Sequence, residues 1–349
     1  MVNETSSIAT PPFTSPLVPG FFVYGDSTVD VGNNNYLQTI ARANLAPYGR
    51  DFDTHLPTGR FSNGRLSVDY LALFLGLPFI PPLLSRNFTS QMQGVNFASA
   101  GAGILNPSGS DLGQHIPMAE QVEHIVEIQQ RLASKIGEDA ANAVISNSIH
   151  YISIGSNDFI HYYLRNVSDV QNKMTNFEFN QLLISSLVGH IEDMYARGIR
   201  KVVTIGLGPL GCVPFYLYTF NQTGAGCVDS INFMIAEFNN ALRVTAQSLA
   251  MKHRNLRIIY CDVFQSLMPI VRTPLQYGFV TSRSACCGAG RFGGWMMCMF
   301  PQMACSNASS YLWWDEFHPT DKANFLLARD IWSGNVCEPG GLQDLAKAS

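Results

Sequence analysis

The sequence predicts an α/β fold of three layers, with helices on both faces of a parallel sheet of about five strands. Two observations carry that reading. Short apolar runs alternate with helix-period segments along the chain, which is the rhythm of β-α-β units. Two long segments, 180–198 (NQLLISSLVGHIEDMYARG) and 229–253 (DSINFMIAEFNNALRVTAQSLAMKH), place apolar residues three to four apart.

In chain order, residues 1–19 are rich in Pro, Ser and Thr and read as an extended segment. Five runs then read as strands: 20–25 (GFFVYG), 94–98 (GVNFA), 149–154 (IHYISI), 200–206 (RKVVTIG) and 256–261 (LRIIYC). Helices are expected between them. The first long helix stops at Gly198, with Arg197 in its last turn. Residues 273–312 show no period, contain a glycine cluster (GAGRFGGW) and hold four cysteines, so a long crosslinked loop is expected there. With no repeat or low-complexity tract, 20–337 reads as one domain and 338–349 as a tail.

Composition excludes several classes. Charged residues make up only 14% of the 349 and the net charge is −4. No basic run supplies the Lys/Arg stripe that nucleic acid requires. The longest apolar stretch, LSVDYLALFLGLPFIPPLL, is broken by Asp69, Gly76, Pro78, Pro81 and Pro82, so it is no membrane span. All eight cysteines lie at or beyond position 212, and none forms a C-x-x-C pair. Disulfides fit that pattern better than zinc. Five N-x-S/T sequons, at Asn3, Asn87, Asn166, Asn221 and Asn307, agree with a secreted glycoprotein. The N-terminus lacks a basic n-region and an apolar h-region, so a signal peptide is expected to have been removed.

The segment VVTIGLGPLG puts G-x-G-x-x-G after a strand, but Pro209 and Pro214 are expected to keep a phosphate-binding helix from starting there. The turn reads as structural. The methionine-rich stretch GGWMMCMFPQMAC is either core packing or an adaptable apolar wall.

In an open parallel sheet, ligands bind beyond the carboxyl ends of the strands. Those ends carry Gly25-Asp26-Ser27, then NFASAGAG at 96–103, then Gly155-Ser156-Asn157-Asp158; Asp315-Glu316-Phe317-His318-Pro319 follows near the chain end. These four blocks, with VDVGNNNYL, PTGRFSNGR and GLGPLGCVP, resemble the plant-type secreted GDSL esterase/lipase family of the SGNH hydrolase superfamily. The resemblance covers nearly the whole chain and implies a flavodoxin-like fold and a secreted hydrolase of carboxylic esters. It implies Ser27 as nucleophile, His318 as base and Asp315 as the acid that orients it. The oxyanion donors would be the backbone N–H groups of Ser27 and Gly101 with the Asn157 side chain. Thr28 departs from the Leu in the family's name. Neither metal nor cofactor is expected, and the partner would be a small-molecule or polymer-borne ester.

The chemistry fits these residue types. A serine hydroxyl attacks an ester only when a base takes its proton, and imidazole serves at neutral pH. An Asp three residues before a His, on one helical turn, would hold its tautomer. A rival D-x-x-H, Asp158 and His161, lies in NDFIHYY. Acyl transfer, as in relatives that build polyester, and a silent binding protein are the alternative readings.

Overall fold

The computed structural model describes residues 15–85 and 90–348. Its sheet has the order β1-β2-β3-β4-β7, with β1 Phe21–Gly25, β2 Ile149–Ser153, β3 Lys201–Ile205, β4 Arg257–Cys261 and β7 Cys337–Glu338. Strands β1 to β4 run parallel, in a register that sets Phe21 beside Ile149 and Gly25 beside Ser153. All or nearly all of each is buried, as expected of strands covered on both faces. Four of the five expected strands are therefore present within a residue or two of their limits.

The fifth differs. Residues 94–98 lie alongside β1, where Phe97 N–H donates to Val23 O at 2.7 Å and Val23 N–H to Val95 O at 3.0 Å. They form only isolated bridges, because their other neighbour is the Pro81-Pro82 stretch, which cannot extend a ladder. The sheet instead gains β7, antiparallel to β4 and tied to it by the Cys261–Cys337 disulfide.

Helices Asn176–Ala196 and Asp229–Lys252 pack together, as do Ser67–Phe74 and Asp321–Ser333. Thr175 caps the first of these through a reciprocal bond with Glu178. The segment expected as a tail carries a helix, Leu342–Lys347, whose Leu342, Leu345 and Ala346 are buried because their spacing gives one apolar face.

Residues 273–312 are irregular but hold a small parallel pair, β5 Thr281–Ala285 with β6 Tyr311–Trp313. Two disulfides, Cys286–Cys305 and Cys287–Cys298, brace this segment, and Cys212–Cys227 closes another loop. Behind it sits a second, smaller core around Tyr48, Phe61 and Trp314.

Candidate active site

Beyond the carboxyl ends of β1 to β3 the chain opens a cleft of about 220 Å³. Ser27 reaches it through a tight turn after β1. Asp26 takes the backbone N–H of Thr28 at 2.9 Å and its hydroxyl at 2.7 Å, and the Asp26 carbonyl accepts from Val29 and Asp30. Gly25 admits no side chain, since a Cβ there would lie 2.2 Å from Ser153 O. Gln121 bonds both its N–H and its C=O, each at 2.8 Å.

The stretch VDVGNNN is a polar buckle. Buried Asp30 accepts from the N–H groups of Gly32, Asn33 and Ala100, Asn33 donates to Asn96 O and Ala98 O, and Asn34 to Ala100 O. These bonds fix the 96–100 segment beside the serine and deliver Gly101 to the cleft. Gly101 has φ +87°, a conformation natural to glycine. Among the described residues, neither Ser27 N–H nor Gly101 N–H meets a protein acceptor. Asn157 lines the same cleft, with one amide N–H donated to Ala102 O at 2.9 Å.

His318 arrives from the far end of the chain. Its Nε2 is 2.8 Å from Ser27 Oγ, and its Nδ1 lies 2.7 and 2.8 Å from the two oxygens of Asp315. With the Nδ1 proton given to that carboxylate, Nε2 is left to accept from the serine hydroxyl. Asp315 and His318 do not share a helical turn. They sit in an irregular loop where Asp315 Oδ1 accepts the backbone N–H of Phe317 and of His318, an Asx turn that brings the imidazole back onto the same carboxylate. Burial raises the Asp315 carboxyl, but the His318 charge, its hydrogen bond and the donors Phe317 N–H and Tyr48 Oη outweigh it, holding the group below its ordinary value. The carboxylate form is thereby secured.

PTGRFSNGR supports this loop from behind. Phe61 lies 4.9 Å from the His318 ring, Ser62 Oγ donates to Pro319 O, and Asn63 accepts from Asp321 N–H. Arg60 and Asp69 form a buried two-bond pair that holds the stretch in place. Tyr48 and Gln121 escaped sequence reasoning, since their partners lie 267 and 96 residues away.

The rival pair does not pair. Asp158 turns its carboxylate to the N–H groups of Ile104 and Leu105 and to Ser108 Oγ, while His161 bonds Asp111 at 3.0 Å. His161 also lines the cleft, on the π-helical turn Asp158–Tyr163. The glycine-rich turn also has a part in the cleft through Leu210. A six-residue helix does start at Pro214, because proline is tolerated at the first helical position. Of the methionine stretch, Trp295 and Met297 line the cleft. The sequons at Asn166, Asn221 and Asn307 are exposed; Asn3 and Asn87 lie outside the described residues.

Such a hydrogen-bonded Ser-His-Asp chain beside unpaired N–H groups can move a proton off the serine and stabilise charge on an ester oxygen. A family model described as GDSL-like lipase/acylhydrolase matches residues 21–331. GDSL esterase/lipase 7 of Arabidopsis thaliana is 42% identical over 341 residues, covering 95% of this chain and 93% of its own length. Two further Arabidopsis thaliana GDSL esterase/lipases are 38% identical (95% of this chain, 93% of the relative) and 34% identical (96% and 89%). The chain belongs to the GDSL-like lipase/acylhydrolase family and is a carboxylic ester hydrolase.

Proposed function

We propose that this hydrolase cleaves acyl esters through an acyl-serine intermediate on Ser27. The observation that carries the reading is the continuous path from Ser27 Oγ through His318 to Asp315, with every step between 2.7 and 2.8 Å. His318 takes the serine proton as Ser27 attacks the carbonyl and returns it to the leaving alcohol. Asp315 holds the tautomer and the imidazolium. The N–H groups of Ser27 and Gly101, with the Asn157 amide, receive the oxyanion. A water molecule, activated by the same histidine, then releases the acid.

The domain that does this is residues 20–337, a single unit whose core the helix Leu342–Lys347 also joins. Four disulfides with no free cysteine among the described residues, and three exposed sequons, support a secreted glycoprotein.

The test is labelling with a fluorophosphonate alongside turnover of p-nitrophenyl esters, with and without glycerol. Wild type is labelled at Ser27, and Ser27→Ala folds, escapes labelling and loses about four or more orders of magnitude in turnover. Labelling at another serine overturns the reading. Release of glyceryl ester in place of free acid makes the enzyme a transferase.

A further inference from the structure

The cleft has a neighbour. A second chamber of about 90 Å³ lies past the ends of β2 and β3, closed by the helices Val263–Arg272 and Asp321–Ser333. Val263, Leu267, Leu327 and Ile331 give it an apolar lining. Four residues line both spaces and form the partition between them: Thr28, Ser156, Leu210 and Phe317. Two of these are chain neighbours of the reacting groups, since Thr28 follows Ser27 and Phe317 precedes His318. The partition therefore stands next to the place where an acyl group on Ser27 would begin.

Its two halves differ in character. Phe317 is only half-buried, with its ring tilted against Phe215 at 4.8 Å. Thr28 occupies the position where the family's motif name has leucine. Its hydroxyl is tied to Asp26 at 2.7 Å and lies 3.3 Å from Ser153 Oγ. A shorter side chain, drawn back onto the strand ends, leaves room that a leucine would fill.

We propose that an acyl chain too long for the cleft passes between Thr28, Leu210 and Phe317 into the second chamber, so that medium-chain acyl esters are the substrates and Thr28 sets the length accepted. The inference rests on the acyl-serine reading above. An acetyl group leaves the chamber empty and gains nothing from it. Each methylene that enters adds roughly fourfold to kcat/KM, the fold-change that corresponds to burying one CH₂.

The experiment compares kcat/KM for p-nitrophenyl esters from acetate to dodecanoate in wild type, Thr28→Val, Thr28→Leu and Leu267→Ala. Wild type should prefer chains longer than butyrate. Thr28→Leu should lower the octanoate-to-acetate ratio by at least about tenfold, and Thr28→Val, which keeps the size, should hold that ratio within about twofold. Leu267→Ala, away from the reacting groups, should move the longest accepted chain upward and keeps the test alive should Thr28→Leu fail to fold. A wild type that prefers acetate, or ratios unmoved by both Thr28→Leu and Leu267→Ala, overturns the proposal. So does a length dependence that follows the alcohol when octanoate esters of methanol through hexanol are compared. Wild type unlabelled by fluorophosphonate at Ser27 would instead be a failure of the acyl-serine reading.

Discussion

Two D-x-x-H segments, at the same spacing, have opposite fates in this molecule. In 315–318 the carboxylate faces its own histidine and the histidine faces a serine. In 158–161 the carboxylate is spent on the Ile104 and Leu105 N–H groups and on Ser108, and the histidine finds Asp111. The difference lies in what the backbone around each Asp leaves unpaired. An Asx turn in an irregular loop supplies its own donors and keeps the imidazole within reach, whereas the 103–108 loop presents open N–H groups that claim Asp158. Spacing brings an Asp and a His near each other; competing donors decide whether they meet.

Four substitutions break or sharpen this contrast. His318→Ala should cost about four or more orders of magnitude in kcat with the fold kept, as expected on losing the base of a Ser-His-Asp unit. Near-wild-type turnover in that variant would move the base elsewhere. Asp315→Asn should cost roughly three to four orders by setting the wrong tautomer. A loss under tenfold in single-turnover acylation would show that Tyr48 and the Asx turn orient the ring without the charge.

The third concerns stability rather than turnover. Burial, opposed by its hydrogen-bond donors, pushes Asp158 from 3.8 up to about 6. The fold thus prefers the protonated form, a preference fully present below the unfolded value and lost as pH rises through about 6. The stability margin of wild type over Asp158→Asn should therefore shrink by about 2–3 kcal/mol between pH 4 and pH 7, read by urea unfolding. A margin that stays constant would mean that this carboxyl is ionised in the fold throughout. Smallest of all, His161→Ala should raise KM a few-fold, since it alters a cleft wall, and leave most of kcat. If it is the dead variant while His318→Ala works, the two segments have been assigned the wrong way round.

Much of the architecture was legible because β1 to β4 are short apolar runs set between strongly periodic helices. Strand β7 was not, for two residues carry no pattern, and 94–98 read as a strand because its outer neighbour, Pro81-Pro82, is invisible to local reasoning. The serine turn announced itself through Gly25-Asp26-Ser27, where a close approach excludes any side chain. What spacing could not supply was contact across 291 residues between Ser27 and His318; the family resemblance pointed to it. The same limit hid Tyr48, and it made VDVGNNN look like a motif without a task until Asp30, Asn33 and Asn34 were seen holding the 96–100 segment.

The loop carrying His318 hangs from crosslinked chain. Cys286 N–H donates to Trp313 O, Cys287 N–H to Trp314 O, and Trp314 N–H to His318 O, so the two disulfides at Cys286 and Cys287 anchor the strand that leads to the histidine. The serine turn depends on none of this; its bonds run to β2, Gln121 and the 96–100 segment. We expect the two halves of the site to differ in their sensitivity to reductant. Opening the bridges at Cys286 and Cys287 removes one support of the His318 loop, leaving Phe61, Ser62 and Asn63 to hold it, and leaves the bonds of the serine turn untouched.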